Sequence, residues 1–265
     1  MKKKLEKIKT VTNLKIKSYN NIMPIRNLTI QKARTRAFAR ERLPNERYSA
    51  PKGWHKTKSA DFKKLKAGDM ILTVSQRHTL GGLFSRSVAK AIDGKYAHVA
   101  TYMGKKTNTH TITDFKGRHG YRERGLHTLA KTGIDLKVVR WKNASPKQLE
   151  AFLHNLERIP QIGKKYDYLQ AGFYAFRVLY KRATGKEIPK KLLVDVIDRF
   201  ACSEHPATAA NPTQKEIRDH NFEPVNPAME FLPGTNRELI TPTIIDAAVD
   251  AGILEFVTEQ TWKKH

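Results

Sequence analysis

From Lys66 onward, short apolar runs alternate with stretches in which apolar residues recur every three to four positions, so strands and helices are mixed along one chain. Met70 to Val74 predicts a strand after the Gly68-Asp69 turn, Leu83 to Ile92 a helix, and Tyr96 to Met103 a second strand stopped by Gly104. Thr109 to Phe115 and Ile134 to Trp141 predict further strands. Ser145-Pro146-Lys147-Gln148 offers a capping serine, a proline at the first helical position and a glutamine at the third, so a helix begins there. Leu149, Phe152, Leu153 and Leu156 form its buried stripe. Helices are also predicted from Tyr166 to Lys181, from Lys191 to Phe200, around Cys202 to Ala210, and from Thr241-Pro242 to Ala251, with Ile253 to Val257 closing the sheet. The aromatic stripe Tyr168, Phe173, Phe176 and Tyr180 reads most simply as core, or as the wall of a substrate groove. The class is α+β, and no internal repeat is present.

Residues 1–60 break this pattern. They contain 17 of the 50 Lys and Arg against 3 acids, a net charge of +14, which leaves +11 of the chain's +25 for the other 205 residues. Few large apolar residues and turn formers at Pro24, Pro44, Pro51 and Gly53 predict a basic, partly irregular N-terminal arm, followed by a folded domain over residues 61–265. Leu28 to Leu43 could form a basic helix, with Arg34, Arg36, Arg40 and Arg42 suited to the phosphates of nucleic acid or anionic lipid, and Tyr19, Phe38, Tyr48 and Trp54 suited to stacking or anchoring. The alternative is a solvated extension that docks on a protein partner in a larger assembly.

A single cysteine excludes an internal disulfide, which suits a chain made in a reducing compartment and held by its core. The charged N-terminus is not followed by the apolar run of a secretory signal, and Tyr168 to Tyr180 is interrupted by Gln170 and Arg177 and is shorter than the ~20 residues a transmembrane helix needs. The expectation is a soluble protein, cytoplasmic when made. The 10 histidines show neither zinc-finger spacing nor an H-E-x-x-H pair, and no phosphate loop or dinucleotide fingerprint occurs, so no metal or other cofactor is implied.

Candidate chemistry centres on Cys202, in Phe200-Ala201-Cys202-Ser203-Glu204, and on His98, in Tyr96-Ala97-His98-Val99-Ala100. A thiol near a helix N-terminus and beside an imidazole is a nucleophile with its base, and the helix N–H groups could hold an oxyanion. A lone cysteine between apolar neighbours is, on its own, more often an inert buried residue. Asp114, on the strand after that of His98, reads as a plain strand charge unless a resemblance gives it a role, and His110 and His119 lie nearby. His205 either competes for the thiolate or is surface decoration, and Glu204 reads as a helix-start charge.

The runs Lys66 to Thr73, Tyr96 to Gly104, Tyr166-Asp167-Tyr168, Cys202-Ser203-Glu204 and Thr241-Pro242 together resemble the circularly permuted papain-like hydrolases of the NlpC superfamily, over Lys66 to Val257. In that group the histidine strand precedes the cysteine helix, the order found here. The resemblance implies a small antiparallel sheet packed on helices, Cys202 as nucleophile, His98 as base and a polar residue such as Asp114 as orienter. His205-Pro206 departs from the aliphatic residues that usually follow the cysteine, and because proline fits only the first helical turn, the helix must begin close to Cys202. Such relatives cut cell-wall peptides, other amides or lipid acyl groups. The expectation is an amidase or peptidase acting on cell-wall peptides, virion-associated or released at lysis. The alternatives are a nucleic-acid-binding structural protein that keeps the domain as a scaffold, and a lipid acyltransferase or esterase.

Overall fold

The computed structural model describes residues 53–92, 94–106, 108–115, 120–162, 165–166, 199–200, 202–233, 235, 237 and 240–264. The predicted basic helix, the aromatic stripe, His119 and most of the two helices expected between Tyr166 and Phe200 lie outside these residues.

In chain order the elements are β1 (Trp54–Lys58), β2 (Met70–Ser75), α1 (Leu80–Ala91), β3 (His98–Lys106), β4 (Thr109–Phe115), β5 (Tyr121–Gly125), β6 (Ile134–Trp141), α2 (Pro146–Arg158), β7 (Lys165–Tyr166), β8 (Arg199–Phe200), α3 (Glu204–Ala210), α4 (Gln214–His220), α5 (Pro242–Asp250) and β9 (Leu254–Lys264). Seven strands form one sheet in the order β1-β9-β6-β2-β3-β4-β5. Its pairings are antiparallel, including β2 with β3, where Thr73 stands opposite His98, and β4 with β5, where Asp114 stands opposite Arg122. The fold is therefore α+β, as the hydrophobic pattern predicts. No helix among the described residues is long and apolar enough to cross a membrane.

Strand alternation sends side chains to two cores. Met70, Leu72 and Val74 of β2 join Val99, Val139 and Trp141 under α2, α3 and α5, where Phe152, Leu156, Ala209 and Ile245 are fully or almost fully buried. Ile71 turns the other way, with Ala100, Tyr102, Ile112, Leu136 and Val138, into a smaller core closed by Phe62 and Leu126 from two 3-10 turns. Burying each Phe or Leu is worth about 1.5–3 kcal/mol, so both faces of the sheet contribute to its stability.

Local chemistry sets the boundaries. Ser145 and Gln148 make the expected reciprocal cap on α2. Thr79 caps α1 and accepts a hydrogen bond from Gly82 N–H, which starts that helix three residues earlier than apolar spacing suggests. Gly68 holds φ at +92°, which favours glycine, and a Cβ there would push aside Leu149 Cδ1, which it would meet at 2.4 Å. Two predicted helix ends are corrected. Tyr166 and Phe200 lie in the short parallel pair β7–β8, which brings the chain just before Cys202 beside Lys165–Tyr166. The helix placed at Cys202 begins at Glu204, with Cys202 and Ser203 in the preceding turn.

Candidate active site

Three elements far apart in sequence deliver the three predicted residues to one place. His98 opens β3, and Asp114 is the penultimate residue of β4, the neighbouring strand. Cys202 lies in the turn before α3, with Sγ 4.0 Å from Ala97 O. That turn is fixed on two sides. Ser203 donates its hydroxyl to Ile240 O at 2.5 Å, and Asn155 of α2 reaches α3 by donating to Ala209 O at 3.0 Å. Asn155 also donates to Glu223 O at 2.9 Å and accepts from Glu223 N–H at 2.7 Å, so one fully buried amide ties three segments together.

His98 Nε2 lies 2.9 Å from Asp114 Oδ2. A carboxylate can only accept, so Nε2 carries the proton and Nδ1 is the nitrogen left for the Cys202 side chain, which lies near enough for its charge to act on the ring. Burial of His98 pulls its pKa down. The negative charge of a Cys202 thiolate, the hydrogen bond His98 donates to Asp114 and the Asp114 charge outweigh that pull, and the net pKa lies above 6.5. The His98 side chain keeps 16% of its surface exposed and Cys202 keeps 5%, so solvent reaches the pair mainly through the imidazole.

Asp114 is completely buried, and burial alone would push its carboxyl up. The His98 hydrogen bond and charge, with the Arg124 and Arg122 guanidinium groups, hold it well below the usual carboxylate range. Arg122 donates from Nε to Oδ1 and from Nη2 to Oδ2, both at 3.1 Å, and Arg124 Nη2 donates to Oδ2. The arrangement is a charge-assisted fork that leaves the carboxylate one orientation, facing the imidazole.

No protein-family model matches the chain, and no curated protein matches it.

The other candidates separate from the trio. His110 Nδ1 lies 2.7 Å from Tyr102 Oη, with burial and the charge of Lys105 lowering its pKa, and the carboxylate that meets His98 is Asp114. Glu204 sits in the first turn of α3, buried. His205 is not surface decoration, because it is wholly buried. Its Nδ1–H donates to Cys202 O at 2.7 Å, which leaves Nε2 to accept from Thr101 Oγ1 at 3.4 Å. Burial pushes its pKa down to about 4, against smaller opposing contributions from Cys202 O and Asp114, so the ring is neutral at pH 7. It anchors the carbonyl of the cysteine to β3 and is no rival base.

Sequence reasoning missed Arg122 and Arg124. Their signal was the alternation Arg122-Glu123-Arg124 on a strand, which places both cations on one side of β5. Only the register of β5 against β4 shows which acid they meet.

Proposed function

We propose that the protein is a cysteine hydrolase of the permuted papain-like type, and that it cleaves an amide. The reading rests on one observation, the placement of Cys202 beside a His98 imidazole that is hydrogen-bonded to Asp114. The thiol passes its proton to His98 Nδ1, and the thiolate attacks the substrate carbonyl. Collapse of the tetrahedral intermediate transfers that proton from Nδ1 to the leaving nitrogen and leaves the acyl group on sulfur as a thioester. Water then gives a proton to Nδ1 and attacks the thioester carbonyl, and the protonated ring returns its proton as the acid product leaves and the thiol is restored. Throughout, Nε2–H stays on Asp114, whose fixed orientation keeps Nδ1 aimed at the sulfur.

A cell-wall peptide is the first choice of substrate, because a chain of net charge +25 is drawn to anionic wall polymers. A virion protein that packages nucleic acid through residues 1–60 is the structural alternative, and a lipid acyl substrate is the other enzymatic one. Purified wall peptides incubated with the protein should release new free amino groups, and Cys202→Ser and His98→Ala should each abolish the release. An intact peptide pool, with acyl transfer from a lipid or thioester donor instead, would replace the amidase reading with an acyltransferase.

A further inference from the structure

Among the described residues, four large apolar side chains stand exposed, and three of them share one end of α1: Leu80, Leu83 and Phe84 are 86%, 51% and 62% exposed. Isolated apolar residues are ordinary on a protein surface, but these recur at the i, i+3, i+4 spacing that places them on one helix face. The next row of the helix is cationic. At about 100° per residue, Lys90 falls about 20° from Leu83 around the axis and Arg86 about 60°. Arg86 and Lys90, with Lys95, line a cavity of about 350 Å³ whose described lining holds no carboxylate. Arg86 Nη1 is held by the main-chain oxygens of Ser75 at 3.2 Å and Arg77 at 2.9 Å, and Lys95 Nζ rests 5.3 Å from the centroid of the Tyr96 ring. Neither arrangement neutralises a charge. The helix tip is held in this pose by close packing, because a Cβ at Gly82 would lie 2.0 Å from Arg77 O.

We propose that this end of α1 docks on an anionic phospholipid surface. Leu80, Leu83 and Phe84 enter the boundary between headgroups and acyl chains, and the Arg86–Lys90–Lys95 cavity receives headgroup phosphates. The juxtaposition fits this partner because a lipid interface offers an apolar layer and a negative layer side by side, matching two adjoining rows of one helix. A second copy of the chain would bring the same cations against each other. The proposal is independent of the hydrolase reading, since none of these residues belongs to the Cys202–His98–Asp114 chain.

The test is co-sedimentation of the full chain with vesicles of phosphatidylcholine alone or mixed with phosphatidylglycerol, at 0.1 M and 0.5 M salt. The basic N-terminal arm should also attract anionic vesicles, so the decisive variant leaves every charge in place. Leu83→Ser/Phe84→Ser should weaken partitioning onto the mixed vesicles about tenfold, most clearly at 0.5 M salt where the arm is screened. Lys90→Gln/Lys95→Gln should weaken it severalfold at 0.1 M salt. Because all four side chains are at the surface, the variants should melt as the parent does. Binding by Leu83→Ser/Phe84→Ser equal to the parent's at 0.5 M salt would overturn the proposal. So would a parent that ignores both vesicle types, as expected if another part of the chain covers the patch, or a parent dimer that the serine variant dissolves.

Discussion

Replacing Asp114 by Asn keeps the shape of the side chain and removes the one negative charge that three cationic partners share. His98, Arg122 and Arg124 all converge on that carboxylate, which has no solvent exposure. Removing one partner of a buried ion pair costs about 3–5 kcal/mol, because the remaining charges stay desolvated without compensation. The guanidinium groups are 27% and 17% exposed, so water relieves part of that cost, and about 2–3 kcal/mol remains. For a folded unit of this size, that loss lowers Tm by roughly 4–12 °C. The pH dependence has a definite sign. Asp114 is held below its unfolded value of 3.8, so its contribution is fully present above pH 3.8 and is lost as pH falls through the folded value. Once His98, whose raised pKa also depends on Asp114, is fully protonated, the gap between parent and variant should stay constant down to about pH 4 and close below that. Calorimetry across this range measures it. Asp69→Asn is the control, because Asp69 is also buried and paired with an arginine, Arg140, but lies outside the trio. Both variants should lose stability, while only Asp114→Asn should slow alkylation of Cys202. A melting change under 2 °C, a gap that widens as pH falls below about 4, or alkylation unaffected by Asp114→Asn would refute the reasoning.

His205 takes up its proton only near pH 4, against 6.5 when unfolded, so the fold loses stability as pH falls from 6.5 toward 4, by roughly 3 kcal/mol in total; His205→Gln should flatten that part of the stability curve measured by urea unfolding. Asn155→Ala leaves the buried Ala209 carbonyl and the less buried carbonyl and N–H of Glu223 without this partner and should cost about 1–3 kcal/mol by the same assay, with faster proteolysis near Ala209 and Glu223. Gly68→Ala forces a Cβ into Leu149 at a positive φ and should destabilise by about 1–3 kcal/mol, read as a lower urea midpoint, whereas Gly252→Ala, at φ +73° with nothing within 4 Å, should cost less.

Much of the fold was legible wherever burial imposes a period. Thr109–Phe115 and Ile134–Trp141 end where their apolar alternation ends, and α2 begins where Ser145 caps it. Strands whose outer side chains are charged gave no such pattern. β1 reads Trp-His-Lys-Thr-Lys and is stabilised by pairing with β9, while β5 carries Arg122, Glu123 and Arg124 because its partners are ionic. Thr213 and Glu216 did hold a capping-box signal for α4, but that helix has only seven residues and little apolar periodicity behind it. In the site, the lone thiol singles out Cys202 and its helix-start setting suggests an imidazole partner, whereas Asp114 is reached only through the resemblance to permuted papain-like hydrolases. His205 was misjudged because a histidine in sequence shows neither its burial nor its partner, and Thr101 acquires its role only through the packing of α3 on β3.

The account turns on whether the Cys202 thiol is activated by the His98 imidazole. The direct measurement is the rate at which iodoacetamide alkylates Cys202 in the native chain between pH 5 and 9, compared with His98→Ala and with the urea-unfolded protein. At pH 6–7, His98→Ala should slow native alkylation at least tenfold, and the dependence on His98 should persist above pH 6.5, because the folded environment retains the imidazolium beyond that point. Equal rates in the parent and His98→Ala, or a thiol that reacts only after unfolding, would contradict it.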